Sequence, residues 1–377
     1  MFSMFLFREN ILVSYRNLVP LGMLWIIFYS LYSQVKFHHL LLATNIPGNI
    51  SDMNMFLKKR SEELYSEALK IQHCKFPINQ SDWNITVFTY ASDYKWRHTV
   101  ERLNLQVLRS GLFNGFVAFN RSDIRNDYPD FDRNLRVILD LPRGGGYWIW
   151  KLSCFELLMN KMQMCDFLFY VDAGSTIFTS GFHKLLRWKE LLTENRKEIL
   201  RFSMNDPPIK EFEWCNDHIF DVFGCSISHM SDQCQYNIYK LTQLCSTGIL
   251  AMNGQQLRRT LALVYEKLSN DPWSITDIYN NATRASRKEF IDNRHDQCLL
   301  SLASKVLKNY IQVPSPGVYR KKDLLHFSRI RIEGVRPSEN HMALDNDKYK
   351  KWKKICFPRR KNLDKVCDKM AMHLTVG

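Results

Sequence analysis

The sequence lacks several features that would have narrowed its class. None of its ten cysteines stands in a C-x-x-C pair, the tight spacing that structural zinc sites use. No segment repeats at a fixed period, and no low-complexity tract interrupts the chain. Both absences argue against a solenoid or a disordered tail. Acid is in deficit: 52 Lys and Arg face 38 Asp and Glu, a formal net charge of +14. Such a balance invites an acidic partner, whether nucleic acid, an anionic membrane surface or a phosphorylated substrate. Yet no zinc finger, basic zipper or similar module accompanies it. Much of the excess lies late, in 320–322, 348–354 and 359–361, and such runs also read as solvated surface. At 377 residues, 45% hydrophobic and 13% aromatic, the chain has material for one large domain or two small ones.

Long apolar runs are scarce as well. One stands out, the uncharged stretch 17–35 between Arg16 and Lys36. A spanning helix needs about 20 residues for a hydrocarbon core of about 30 Å, so the length suffices. Arg8 and Arg16 precede it, which favours a cytoplasmic N-terminus. A cleaved signal peptide is the rival, but no small-x-small site follows the run. Five N-x-S/T sequons, at Asn49, Asn79, Asn84, Asn120 and Asn281, lie beyond it, as do all ten cysteines. That pattern suits a lumenal, oxidising compartment with disulfides, whose pairing the sequence leaves open. Cys215, Cys225, Cys234 and Cys245 are expected to staple a long loop, and Cys154 and Cys165 read as buried free thiols.

The remainder alternates strand and helix. Residues 85–90 and 115–119 read as strands around a helix over 97–110, the order of an α/β layer. A helix is expected over 53–71 within a stem, then over 152–162, 181–193, 255–268 and from 298 to 306, with a strand over 243–251. The continuous apolar run 166–171 fits a strand buried on both faces. It ends in Asp172-Ala173-Gly174. Ligands of open α/β sheets bind beyond the carboxyl ends of strands, and a carboxylate there can hold a divalent cation against a diphosphate. Asp and Gly are also ordinary turn residues. Arg143-Gly-Gly-Gly-Tyr-Trp-Ile-Trp-Lys151 pairs three glycines with groups that stack on rings or bind anionic oxygens. A tight turn into a Trp-anchored helix is the competing explanation.

These two blocks together resemble a family of GT-A-fold glycosyltransferases whose members share a G-x-G-Y-W-x-W-K block and a strand ending in D-A-G. Cys245-Ser-Thr-Gly-Ile-Leu250 and Asn293-Arg-His-Asp-Gln297 resemble further blocks of that family, and the likeness covers about 84–330. It implies a Rossmann-like mixed sheet flanked by helices, preceded here by one transmembrane helix. It also implies sugar transfer from a nucleotide sugar to a hydroxyl on a glycan, protein or lipid, in the Golgi or endoplasmic reticulum. Asp172 would take the first place of the D-x-D motif, holding a divalent metal (Mn2+ is the expected ion) and the donor diphosphate. The third place is Gly174 rather than aspartate, which leaves metal dependence open; His326 is a candidate second ligand. Arg143, Lys151, Ser92, Asp93 and Gly174 would contact the donor. Thr247, Gly248 and Gln297 would line the acceptor side. Asp296 would act as general base or acceptor contact, although aspartate also caps helices. The expected organisation is a tail over 1–16, an anchor over 17–35, a stem over 36–82, a catalytic domain over 83–345 and a basic segment over 346–377. A membrane-anchored carbohydrate-binding or scaffold protein with the same fold is the alternative.

Overall fold

The computed structural model describes residues 50–71, 74, 76, 83–92, 96–178, 181–204, 208–225, 238–315 and 324–326. The apolar stretch 17–35 and the basic segment 346–377 lie outside them. Among the described residues no helix is long and apolar enough to cross a membrane.

A six-stranded sheet forms the centre. Its strands are β1 (Ile85–Tyr90), β2 (Gly115–Phe119), β3 (Phe167–Val171), β5 (Ile199–Ser203), β6 (Leu244–Met252) and β7 (Tyr310–Pro314), in the order β2-β1-β3-β6-β5-β7. β1 runs parallel to β2 and β3, and β5 parallel to β7. β6 runs antiparallel to both its neighbours, β3 and β5. A two-stranded ribbon pairs β4 (Thr176–Ile177) with β8 (Leu325–His326). Strand β3 is buried at all five positions, because its alternate side chains feed two separate cores. Phe167, Phe169 and Val171 join Ile85 and Val87 under helices α2 (Arg97–Ser110) and α4 (Phe182–Asn195). Leu168 and Tyr170 join Phe88 and Tyr90 on the opposite face. There they meet α1 (Ile50–Lys70), α3 (Trp150–Lys161), α5 (Gln255–Asn270) and α6 (Asp296–Leu307). The result is a mixed α/β molecule, a sheet flanked by helices on both faces.

Two expectations change. Cys165 is no free thiol: it bridges to Cys74, tying the segment after α1 to the turn before β3. Cys215 bonds Cys298 at the start of α6 rather than a cysteine of its own loop. Cys245 is left as a buried free thiol with Cys154.

The helix expected inside the stem packs into the domain. Leu57, Leu64 and Ala68 of α1 are fully buried. Small residues let α1 and α5 approach: the Ser61 hydroxyl donates to the Ala262 carbonyl at 2.8 Å, and Gln255 Nε2 to the Ala68 carbonyl at 2.9 Å. Arg60 reaches inward to the Glu156 carboxylate of α3, which is 1% exposed and also receives the Tyr265 hydroxyl. Removing one partner of a buried ion pair strands the other charge, at a cost of about 3–5 kcal/mol. Arg60→Met is therefore expected to lower the unfolding free energy by about 3 kcal/mol, read as a lower denaturant midpoint at unchanged m. Arg60→Met with Glu156→Met should recover part of that loss; a single substitution without effect would show that α1 is not anchored through this pair.

Candidate active site

Asp172 follows the last residue of β3, at the strand's carboxyl end. Its amide donates to the Thr247 carbonyl of β6 at 2.9 Å, and its own carbonyl accepts from Ser175 at 2.8 Å, closing a turn. Val171 pairs with Gly248, so Asp172, Thr247 and Gly248 meet at the β3–β6 edge, with Gly174 buried in the turn. That turn is clamped from behind by Arg102 of α2, which is 2% exposed. Its guanidinium donates to the Ser175 carbonyl at 2.7 Å, the Ala173 carbonyl at 3.2 Å and the Thr176 hydroxyl at 2.8 Å. One helical turn on, Gln106 accepts from the Ile177 amide at 3.2 Å.

Residues two apart on a strand share a face, and Tyr170 uses this to reach Asp172. Its hydroxyl donates to Asp172 Oδ1 at 2.5 Å. Burial, with the Asp172 charge second, holds that phenol well above its ordinary range, so it stays a donor. Lys151 lies over the other part of the ring, its ammonium 4.5 Å from the centroid. The same ammonium meets Asp296 Oδ2 at 2.5 Å, the Ser246 carbonyl at 3.0 Å and the Ser246 hydroxyl at 3.2 Å. Ser246 Oγ in turn donates to Asp296 Oδ2 at 2.8 Å. Gln297 accepts from the Ser246 amide and donates to Gln243. A connected polar chain thus runs from the half-buried sheet edge into the interior: Asp172, Tyr170, Lys151, Ser246, Asp296. It also brings the N-termini of α3 and α6 together, where helix dipoles favour negative charge.

Lys151, Asp296 and Gln297 are consequently buried, at 1%, 7% and 6% exposure. Asp296 is not an N-cap: it is the first helical residue, and His295 stands at the cap position without a capping side-chain bond.

The triple-glycine segment has a steric reason. Gly144, Gly145, Gly146, Tyr147 and Trp148 all have positive φ, from 53° to 95°, a single turn of left-handed backbone. Each L-residue so placed costs about 1–2 kcal/mol. At Gly146 a Cβ would lie 2.5 Å from the Leu139 Cα, so no larger residue fits. The turn aims its aromatic residues. Trp150 stacks on Tyr90 at 3.8 Å and donates to the Gly144 carbonyl at 2.9 Å. Trp148 lies parallel to His295 with centroids 5.6 Å apart. Arg143 spans Asp277 and Asp292, each at 2.7 Å, fastening segment 271–293 to the turn. Ser92 is exposed and lies against Gly145. Asp93 falls outside the described residues. The main chain of His326 pairs with Thr176, four residues after Asp172; its side chain is likewise outside the description. Among the described residues no group of three or more His, Cys, Asp or Glu is placed to hold a metal ion, so the described donors around Asp172 do not make a coordination set.

Tyr170, Ser246, Arg102 and His295 escaped the sequence reading. The first had a signal, the period-two alternation from Asp172. The others are brought in by tertiary packing.

Comparison with known proteins adds little weight. No family model matches the chain, and no curated protein does. Solved structures similar in part include two glycosyltransferases. One is the apo form of WbbM, a bifunctional glycosyltransferase, at 11% identity and a TM-score of 0.37 over 64% of this chain and 40% of that one. The other is apo mouse xyloside xylosyltransferase 1, at 8% identity and 0.33, over 61% and 84%. This chain therefore spans well under half of the first protein's length, and at these scores neither likeness carries an argument. The sheet order and the Asp172 edge stand on their own geometry.

His295 yields a test. Its backbone sits at φ 49° and ψ −115°, a strained combination for a residue with a Cβ. Nδ1 lies 2.8 Å from the Ile275 carbonyl, which can only accept, so Nδ1 bears the proton. Nε2 is buried without a hydrogen bond, 3.8 Å from Asp277 Oδ1. Burial pushes this imidazole below its ordinary 6.5, with Asp277 opposing. A folded-state value below the unfolded one means that the unfolded chain binds the proton first. Stability is thus complete above about pH 6.5 and lost as pH falls through the window below it, by at most about 1.4 kcal/mol per pH unit. Urea titrations between pH 7.5 and 5 should show that slope in the native protein and a shallower one in His295→Gln; equal slopes would discard the assignment.

Proposed function

We propose that this chain transfers a sugar from a nucleotide-sugar donor to a hydroxyl group on a glycan, protein or lipid. The observation that carries the reading is the Asp172 carboxylate. It stands at the carboxyl end of the central strand, beside Thr247 and Gly248, on a turn fixed by Arg102 and a rotamer fixed by Tyr170. Side chains held this firmly suit a site that must meet a reacting group with little reorganisation. In the reaction the acceptor oxygen bonds the anomeric carbon while the bond to the nucleoside diphosphate breaks. The electron pair leaves with the diphosphate, and the acceptor proton goes to a base.

A bare carboxylate repels a diphosphate. Asp172 therefore acts on donor hydroxyls directly; a divalent cation, were one held between Asp172 and His326, would offset the diphosphate charge. Thr247, Gly248, Ser92 and Asp93 are proposed contacts around the donor and acceptor. Lys151 and Asp296 are proposed as positioning groups: their ion pair supports the Tyr170 ring whose hydroxyl sets Asp172. Arg143 is proposed to order segment 271–293 at the rim. We also propose that the apolar stretch 17–35 anchors the chain with its domain in the lumen of the Golgi or endoplasmic reticulum.

The full-length protein should turn over a nucleotide sugar in a donor-hydrolysis screen, measured with and without manganese. Asp172→Asn removes the charge and keeps the shape; it should lower kcat by at least about 100-fold, the scale of losing one preorganised electrostatic group, with an unchanged melting temperature. Equal turnover would remove Asp172 from the mechanism.

A second reading, a carbohydrate-binding or scaffold protein, is favoured by Gly174 standing where a second aspartate would complete the motif. Thermal shift separates the two. Nucleoside diphosphate with manganese at 100 times its Kd should stabilise a binding-competent protein by about 2.7 kcal/mol. No shift with any nucleotide would favour the scaffold.

A further inference from the structure

Three of the five sequons fall on described residues, and their surroundings differ at the one atom that matters. N-glycosylation joins the asparagine Nδ2 to the anomeric carbon of a saccharide carried on a lipid diphosphate. One amide proton is lost, and the lipid diphosphate departs with the electron pair. The product must then fit the folded chain: a bulky, hydrated group needs open solvent around Nδ2.

Asn120 offers that. It is exposed and caps the helix Arg121–Asp127 through its oxygen alone, Oδ1 accepting from the amides of Ser122 at 2.7 Å and Asp123 at 3.2 Å. The capping box is completed by the Asn120 backbone amide on Asp123, so the cap makes no use of Nδ2. Asn281 offers it too. It is exposed on the helix Asn280–Ser286, with the neighbouring Ala282 also exposed. Asn84 does not. It is half-buried where β1 begins, and its Nδ2 donates to Asp166 Oδ2 at 2.7 Å. The adjoining Trp83 is sealed against Phe167, with ring centroids 4.2 Å apart. A saccharide on that nitrogen would have to emerge between the starts of β1 and β3.

We infer that Asn120 and Asn281 carry N-linked glycans and that Asn84 stays unmodified. This rests on the lumenal orientation proposed above. The surroundings also choose the test variants. Ser122→Ala destroys the first sequon and leaves the Asn120 cap intact. Thr283 is buried and its hydroxyl accepts from the Asp217 amide at 3.0 Å, so the second sequon is better removed by Asn281→Gln. Thr86→Ala removes the third. The full chain would be expressed in animal cells and its mobility compared before and after peptide-N-glycosidase treatment, with the sites read by deamidation in heavy-oxygen water. Ser122→Ala and Asn281→Gln should each remove one glycan step, and Thr86→Ala none. A glycan at Asn84, or its absence from Asn120 or Asn281 in a chain glycosylated elsewhere, overturns this inference alone. A chain with no glycan at any sequon overturns the lumenal orientation itself.

Discussion

Lys151 has left water for a place where its charge is met by the Asp296 carboxylate, two oxygens of Ser246 and the face of Tyr170. A buried ammonium survives only when its hydrogen-bonding capacity is filled, and here each partner comes from a different element. α3 supplies the lysine, β6 the serine, α6 the aspartate and β3 the tyrosine. Their mutual need fixes how two helices approach the carboxyl edge of the sheet. The outer, half-buried end of the chain of contacts is Asp172, so its position inherits the rigidity of the interior.

The left-handed turn 144–148 is the second constraint. It costs backbone energy, and glycine at three of five positions reduces that cost. In return the chain reverses sharply enough to set Trp150 on Tyr90, Trp148 on His295 and Arg143 across Asp277 and Asp292. The aromatic stacks and the Arg143 ion pairs hold the same turn. A segment that looks built for a ligand in sequence thus has a complete structural task, and its electrostatic grip falls on 271–293.

Much of the sheet was legible before the fold. The run FLFYV is apolar without alternation because both faces are covered, and that placed β3 and Asp172 correctly at its end. β1, α2, β2 and β6 fell within a residue or two of their expected bounds for similar reasons. β5 and β7 were missed. Ile199–Ser203 contains Arg201, a charge that local pattern counts as solvent-facing. In the structure its guanidinium is buried and donates to the Leu300 carbonyl and the Ser304 hydroxyl of α6. Disulfides were expected but their pairing was not legible, and Cys165 and Cys245 exchanged roles, because cysteine spacing carries no information on which segments fold together. Cys74 and Cys165 are 91 residues apart, and their Cα atoms only 5.5 Å.

By itself the sequence determined where the chain turns, which strand is doubly buried and which carboxylate terminates it, because those depend on neighbours within a few residues. Beyond Tyr170, two residues away, the tertiary structure alone decided what surrounds that carboxylate. Arg102, Lys151 and Asp296 are separated by up to 194 positions, and nothing local distinguishes a lysine that will be exposed from one that will be buried against an aspartate. Charge pairing in an interior is set by which surfaces meet, and that is a property of the whole fold.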